Sequence, residues 1–169
     1  MISAQKANTA NAFSLPGLAL STANLFSAVQ NGGSLFGLQF SNPVDPAVAY
    51  QGEAGQFGKP TDPLVGKRIG GVNVFGGGVA LYDPQGQLLG ALGVSGDTSC
   101  ADHNIAWKTR RALNLDRVPA GVNKKGAGAK GDDNIIYDLV DGKSASGFGH
   151  PDCGLGEKAV AETLSSIPR

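Results

Sequence analysis

The chain has 169 residues, enough for one domain with a real core and short of two domains of ordinary size. Its formal net charge is +0 and only 17% of its residues are charged, so no global field draws it to nucleic acid or to an anionic membrane surface. With 26 glycines and 9 prolines it implies many turns and a weakly charged surface prone to self-association, and no apolar run nears the roughly 20 residues that span a bilayer.

The opening MISAQKANTA lacks the basic head and apolar stretch of a secretory signal, although a mature secreted form would read the same. Residues 2–13 are alanine-rich and predict a helix that stops at Leu15-Pro16-Gly17. Leu18, Thr22, Leu25, Phe26 and Val29 recur at helical spacing, which predicts a second helix over 18–30 halted by Asn31-Gly32-Gly33. The run SLFGLQFSN, 34–42, reads as a short strand. Four prolines between Pro43 and Pro63 make a long loop, and long ordered loops tend to bind something.

KRIGGVNVFGG, 67–77, predicts a strand beside the clearest hairpin of the chain. That hairpin joins GGVALYD to GQLLGALGVSG through Asp83-Pro84-Gln85-Gly86, with Pro and Gly at favoured turn positions. NIIYDLV, 134–140, is a fainter strand. The preceding AGVNKKGAGAKGDDN, 120–134, resembles a phosphate cradle only loosely, because it lacks the GxxxxGK[ST] spacing. GEKAVAETLSSIPR predicts a short closing helix before Pro168.

Between the hairpin and that loop, Asp97, Thr98 and Ser99 offer N-caps to a helix running without Gly or Pro to Leu115. At about 100° per residue, Ala101, Ile105, Ala106, Ala112 and Leu113 share a side expected to pack on the sheet. Cys100, His103, Asn104, Trp107 and Arg111, with Arg110 at the margin, are then expected to face away from the core. Such a stripe suits a subunit interface, where Trp and Arg are enriched anchors, or the wall of a ligand site. Both hold if the ligand lies between subunits.

SCADHN and GHPDCG mirror each other, and they contain all the cysteines and histidines of the chain. Cys100, His103, His150 and Cys153 could close a zinc tetrahedron, although His103 and His150 lie much farther apart than the roughly 12 to 20 residues of a zinc finger. A Cys100–Cys153 disulfide would instead stabilise the fold by roughly 4 kcal/mol in the chain-entropy model, in a compartment where thiols oxidise. Two reduced cysteines are a third outcome. Either histidine alone could serve as an axial haem ligand.

QKANTANAF, LSTANLFSAVQNGGSLFGLQFSNP, GGVALYD, GQLLGALGVSGDTSCADHNIAWKTR and GFGHPDC together resemble the GlcG/HbpS-type haem-binding family, whose fold also appears as the PduO C-terminal domain. The resemblance covers roughly residues 4 to 155. It implies a single α+β domain over 1–169, a profilin-like sandwich with an antiparallel sheet of about five strands and helices on both faces. It also implies binding of haem or a related tetrapyrrole by a bacterial homo-oligomer. Members usually begin with a helix and two further strands that are missing here, so the expectation is an N-terminally shortened domain or one that borrows a sheet edge from a partner.

The expected function is therefore non-catalytic binding of a flat tetrapyrrole, with no nucleic-acid partner. The pocket is expected at Gly96, Asp97, Thr98, His103, Trp107 and His150, with glycines 76–78 and 96 allowing close approach. The rival is a metal-dependent enzyme or a zinc-stabilised assembly module using Cys100, His103, His150 and Cys153, with Asp102 or Asp152 as proton acceptor. A disulfide would imply a periplasmic or secreted protein, and its absence a cytoplasmic one.

Overall fold

The computed structural model describes residues 1–125 and 129–164. The alanine-rich start forms helix α1, Ile2–Phe13, as its composition predicts. Residues 18–30 do not form the expected α-helix but two 3₁₀ turns, Thr22–Leu25 and Ser27–Val29. Their polar side chains explain this. Ser21 and Asn24 close a capping box on each other, the Thr22 hydroxyl accepts from the Gly78 N–H, and Asn24 donates to the Asn134 carbonyl.

The run expected as a strand at 34–42 is a turn followed by a short helix α2, Leu38–Ser41. Gly37 at φ +90° takes the chain out of the extended region. The proline-rich stretch is loop apart from helix α3, Pro46–Ala49, which Asp45 caps, and a 3₁₀ turn at Ala54–Gln56. The strand expected at 67–77 is absent, since Gly70 and Gly71 both adopt positive φ.

The hairpin forms as its pattern predicts: β1, Gly78–Tyr82, pairs antiparallel with β2, Leu88–Gly93, and Asp83 accepts from the Gln85 and Gln87 N–H groups to hold the turn. Helix α4, Ser99–Ala112, follows at the expected place. Of 134–140 only β3, Leu139–Val140, is a strand, paired with β4, Lys143–Ser144. The closing helix α5 is Glu157–Thr163. The Gly/Lys cradle at 120–134 falls in part on residues 126–128, and the tail of the closing segment on 165–169, outside the described residues.

The five-stranded profilin-like sandwich is thus overturned: the described residues contain two separate two-stranded antiparallel sheets in a mixed α/β fold. Helix α1 crosses the hairpin, and glycine permits the contact. A Cβ on Gly93 would overlap the Ser3 carbonyl, and one on Gly78 would crowd the Lys6 carbonyl. Helix α4 flanks β1. Apolar burial is split among small groups: Leu25, Val29 and Val74; Ala19, Ala80, Tyr82 and Val118; Ala23, Cys100, Ile135 and Ala161. Polar pairs bind these groups together.

Candidate functional site

The start of α4 organises the region where the ligand was expected. The Thr98 side chain caps the helix by accepting from the Ala101 N–H, and its hydroxyl donates to Glu157 Oε1 at 2.6 Å. That bond holds the Glu157 carboxyl below its ordinary pKa. Asp102 Oδ1 accepts from the Gly96 and Asp97 N–H groups, and Oδ2 lies 2.9 Å from Lys6 Nζ in a buried ion pair. The backbone donors of the 96–98 junction are consequently spent on the protein itself. The glycines at 76–78 are likewise filled from within: side chains there would strike Ser99, Val94 and Lys6.

The face assignment of α4 is largely reversed, Ala106 alone of the expected inner side being fully buried. Trp107 is 1% exposed, and Cys100, His103, Asn104 and Arg110 are also buried, whereas Ile105 and Leu113 are exposed. Arg111 alone of the expected outward stripe is exposed. The buried polar face is paired from distant segments: Asn104 Nδ2 donates to the Glu157 carbonyl, and Arg110 forms a two-pronged pair with Asp133 at 2.8 Å per contact while stacking over the Trp107 ring at 4.3 Å. With Trp107 inside, the exposed aromatic wall expected on this helix does not exist.

The mirrored motifs do meet. Cys100 and Cys153 form a disulfide with their Cα atoms 6.1 Å apart. This corrects the zinc reading, since both sulfurs are committed to each other, and no group of three metal-ligating side chains occurs among the described residues. Asp152 Oδ1 accepts from the Gly154 N–H, and Asp102 pairs with Lys6.

The two imidazoles flank Gly76. His150 Nε2 accepts from the Gly76 N–H at 3.3 Å, and a Cβ on Gly76 would press on His103 Cβ. His103 Nε2 lies 3.1 Å from both the Ile135 N–H and Asn134 Oδ1, its role set by the ring tautomer, while its Nδ1 has no hydrogen-bond partner among the described residues. Burial lowers both histidine pKa values to about 4, so both rings are neutral at pH 7.

Their surroundings differ. His103 is enclosed by Trp107, with ring centres 5.8 Å apart, and by 134–135. His150 sits in an aromatic corner with Phe26 at 5.3 Å and Phe75 at 6.5 Å. Phe75 is 47% exposed, so this corner lies one ring beneath the surface. Sequence reading missed Phe26 and Phe75 as neighbours of a histidine; the only local signal is an aromatic set against three glycines at 76–78. It missed Lys6 and Asp133 as well, and nothing near them in sequence announces their partners.

Two grooves lie elsewhere. One of about 420 Å³ is lined by Asn134, Ile135, Tyr137, Lys158 and Glu162 among others, and one of about 630 Å³ runs between the start of α1 and the 49–65 loop. Residues 1–110 match the family described as haem degrading protein HbpS-like. The match ends at Arg110, in the last turn of α4 and short of the 155 expected from the resemblance. No curated protein and no solved structure matches the chain.

Proposed function

The chain belongs to the HbpS-like haem-degrading protein family, and from that premise we propose that it binds haem or a related tetrapyrrole without transforming it, as a homo-oligomer. Family membership supports the haem part of this reading. The local chemistry supports it at one place, His150: a neutral imidazole whose Nε2 accepts a single 3.3 Å bond, set against the apolar rings of Phe26 and Phe75. In the proposal His150 is the iron ligand, and Phe26 and Phe75 form the apolar floor. Bound haem would supply iron-centred ligation or redox chemistry. His103, Trp107, Gly96, Asp97 and Thr98 act as positioning residues, holding α4 and hence the disulfide-anchored 149–153 loop. The disulfide suits an oxidising compartment, periplasmic or secreted.

The test is a hemin titration of the purified chain, followed at the Soret band. A shifted, saturable band that is lost in His150→Ala and retained in His103→Ala is the expected result. An unchanged hemin spectrum on adding wild-type protein overturns the reading, and loss in His103→Ala alone overturns the ligand assignment. The description of the family favours a second reading, haem degradation. Incubating the hemin complex with reductant and oxygen separates the two: bleaching of the Soret band with release of iron selects degradation, and a stable band selects binding.

A further inference from the structure

We propose that the groove of about 420 Å³ beside α5 is a separate binding site for an organic monoanion, an apolar or aromatic body that carries one carboxylate or sulfonate head. The inference is independent of the haem reading, because His150, Phe26 and Phe75 are not part of this lining. Every residue of the lining also lies beyond Arg110, where the family match ends.

Polar bonds hold the walls. On one side Asn123 and Asp132 exchange backbone bonds at 2.9 and 2.8 Å. On the other, Asn134 Nδ2 donates to the carbonyls of Ala161 and Leu164 at the end of α5. Asp138 accepts from the Ser144 hydroxyl and the Ser146 N–H, both at 2.7 Å. These bonds tie residues of the lining to one another or to the next segment, so the recess does not need a ligand to stay open. Its volume falls within the range of small-molecule sites.

The charges of the lining are Lys124, Lys125 and Lys158 against Asp138 and Glu162, an excess of one cation. Most of them are already answered or lie in water. Asp138 is met by the two bonds above, the Lys124 ammonium donates to the carbonyls of Gly121 and Lys130, and Lys125 and Glu162 are exposed. Lys158 is the exception. It is half-buried, its Nζ lies 5.9 Å from the centre of the Tyr137 ring, and no carboxylate of the described residues is within ion-pair distance of it. Glu162 stands one helical turn later, but lysine before glutamate is the weaker order for such a pair.

An ammonium held over an aromatic ring has given up part of its water for a weak attraction. An anionic head entering the groove therefore meets a cation that no protein carboxylate neutralises. Beside it, Val122, Ile135, Ile136, Tyr137 and Ala161 offer apolar surface. An inorganic anion would leave that surface wet, and a neutral apolar molecule would leave Lys158 unanswered. A monoanion with an apolar body satisfies both.

The probe is anilinonaphthalene sulfonate, an aryl monoanion whose fluorescence rises in apolar surroundings, titrated into the full chain at neutral pH. The expected result is a saturable enhancement that decanoate displaces and inorganic phosphate does not. Lys158→Met keeps the apolar stem and removes the charge, so it should weaken the probe roughly tenfold, with unchanged circular dichroism and an unchanged hemin titration, while Lys158→Arg retains binding. No enhancement with the wild type overturns the site. Displacement by phosphate and decanoate alike overturns the apolar part of the ligand. An affinity untouched by Lys158→Met and lost in Tyr50→Ser places the probe in the groove at the start of α1 and overturns the assignment. A hemin band lost in Lys158→Met overturns the separation of the two sites. Should Lys158→Met fail to fold, acetylation of the wild type read by mass spectrometry decides: protection of Lys158 by the probe supports the site, and equal labelling with and without it overturns the site.

Discussion

Gly93 and Gly96 lie three residues apart and do different work. The α1 backbone rests directly on Gly93, where any Cβ would overlap the Ser3 carbonyl and approach the Ala7 amide; around Gly96 nothing lies within 4 Å of a built Cβ. Overpacking at a rigid backbone contact costs about 1–3 kcal/mol. Gly93→Ala should therefore lower the urea midpoint by that equivalent, while Gly96→Ala leaves it nearly unchanged. Equal midpoints for the two variants would show that α1 does not seat on the hairpin in this way. In the sequence both positions look alike, as glycines in a strand and its exit. What distinguishes them is the arrival of a helix from about ninety residues upstream, which no local pattern encodes.

Helix α4 was legible in its location and illegible in its orientation, and both facts have one cause. Capping by Thr98 and the lack of Gly or Pro are local, so they could be read. The buried face is set by partners that lie far away: Lys6 for Asp102, Ile135 for His103, Glu157 for Asn104, Asp133 for Arg110. A hydrophobic-periodicity argument assumes that polar residues face water, and here polar side chains paired from distant segments line the interior instead. The first helix and the hairpin, whose signals are wholly local, form where expected. The reversal is measurable. Trp107→Ala should cost about 3–5 kcal/mol of unfolding free energy, as for other buried aromatics, and Ile105→Ala should stay within about 0.5 kcal/mol, as for an exposed site. A costly Ile105→Ala beside a silent Trp107→Ala would restore the original orientation.

At the scale of the molecule, the described residues spread their apolar burial over three modest groups joined by buried ion pairs, a disulfide and two enclosed imidazoles. A fold tied together this way depends on pH. His103 and His150 have folded-state pKa values lowered by burial to about 4, against 6.5 for an ordinary imidazole. Between those values the unfolded chain binds protons that the folded chain refuses, so stability is complete above about pH 6.5 and falls as pH drops toward 4. Each histidine contributes up to about 1.4 kcal/mol per pH unit in that window. Urea unfolding at pH 7 and at pH 5 should show a clear drop in midpoint at the lower value, and His103→Gln should reduce the difference. The same burial keeps the His150 lone pair free of protons throughout the neutral range, so hemin affinity should hold steady from pH 8 down to about pH 6. Identical midpoints at pH 7 and pH 5 would mean that the imidazoles are hydrated in solution, and the enclosed aromatic corner around His150 would have to be given up with them.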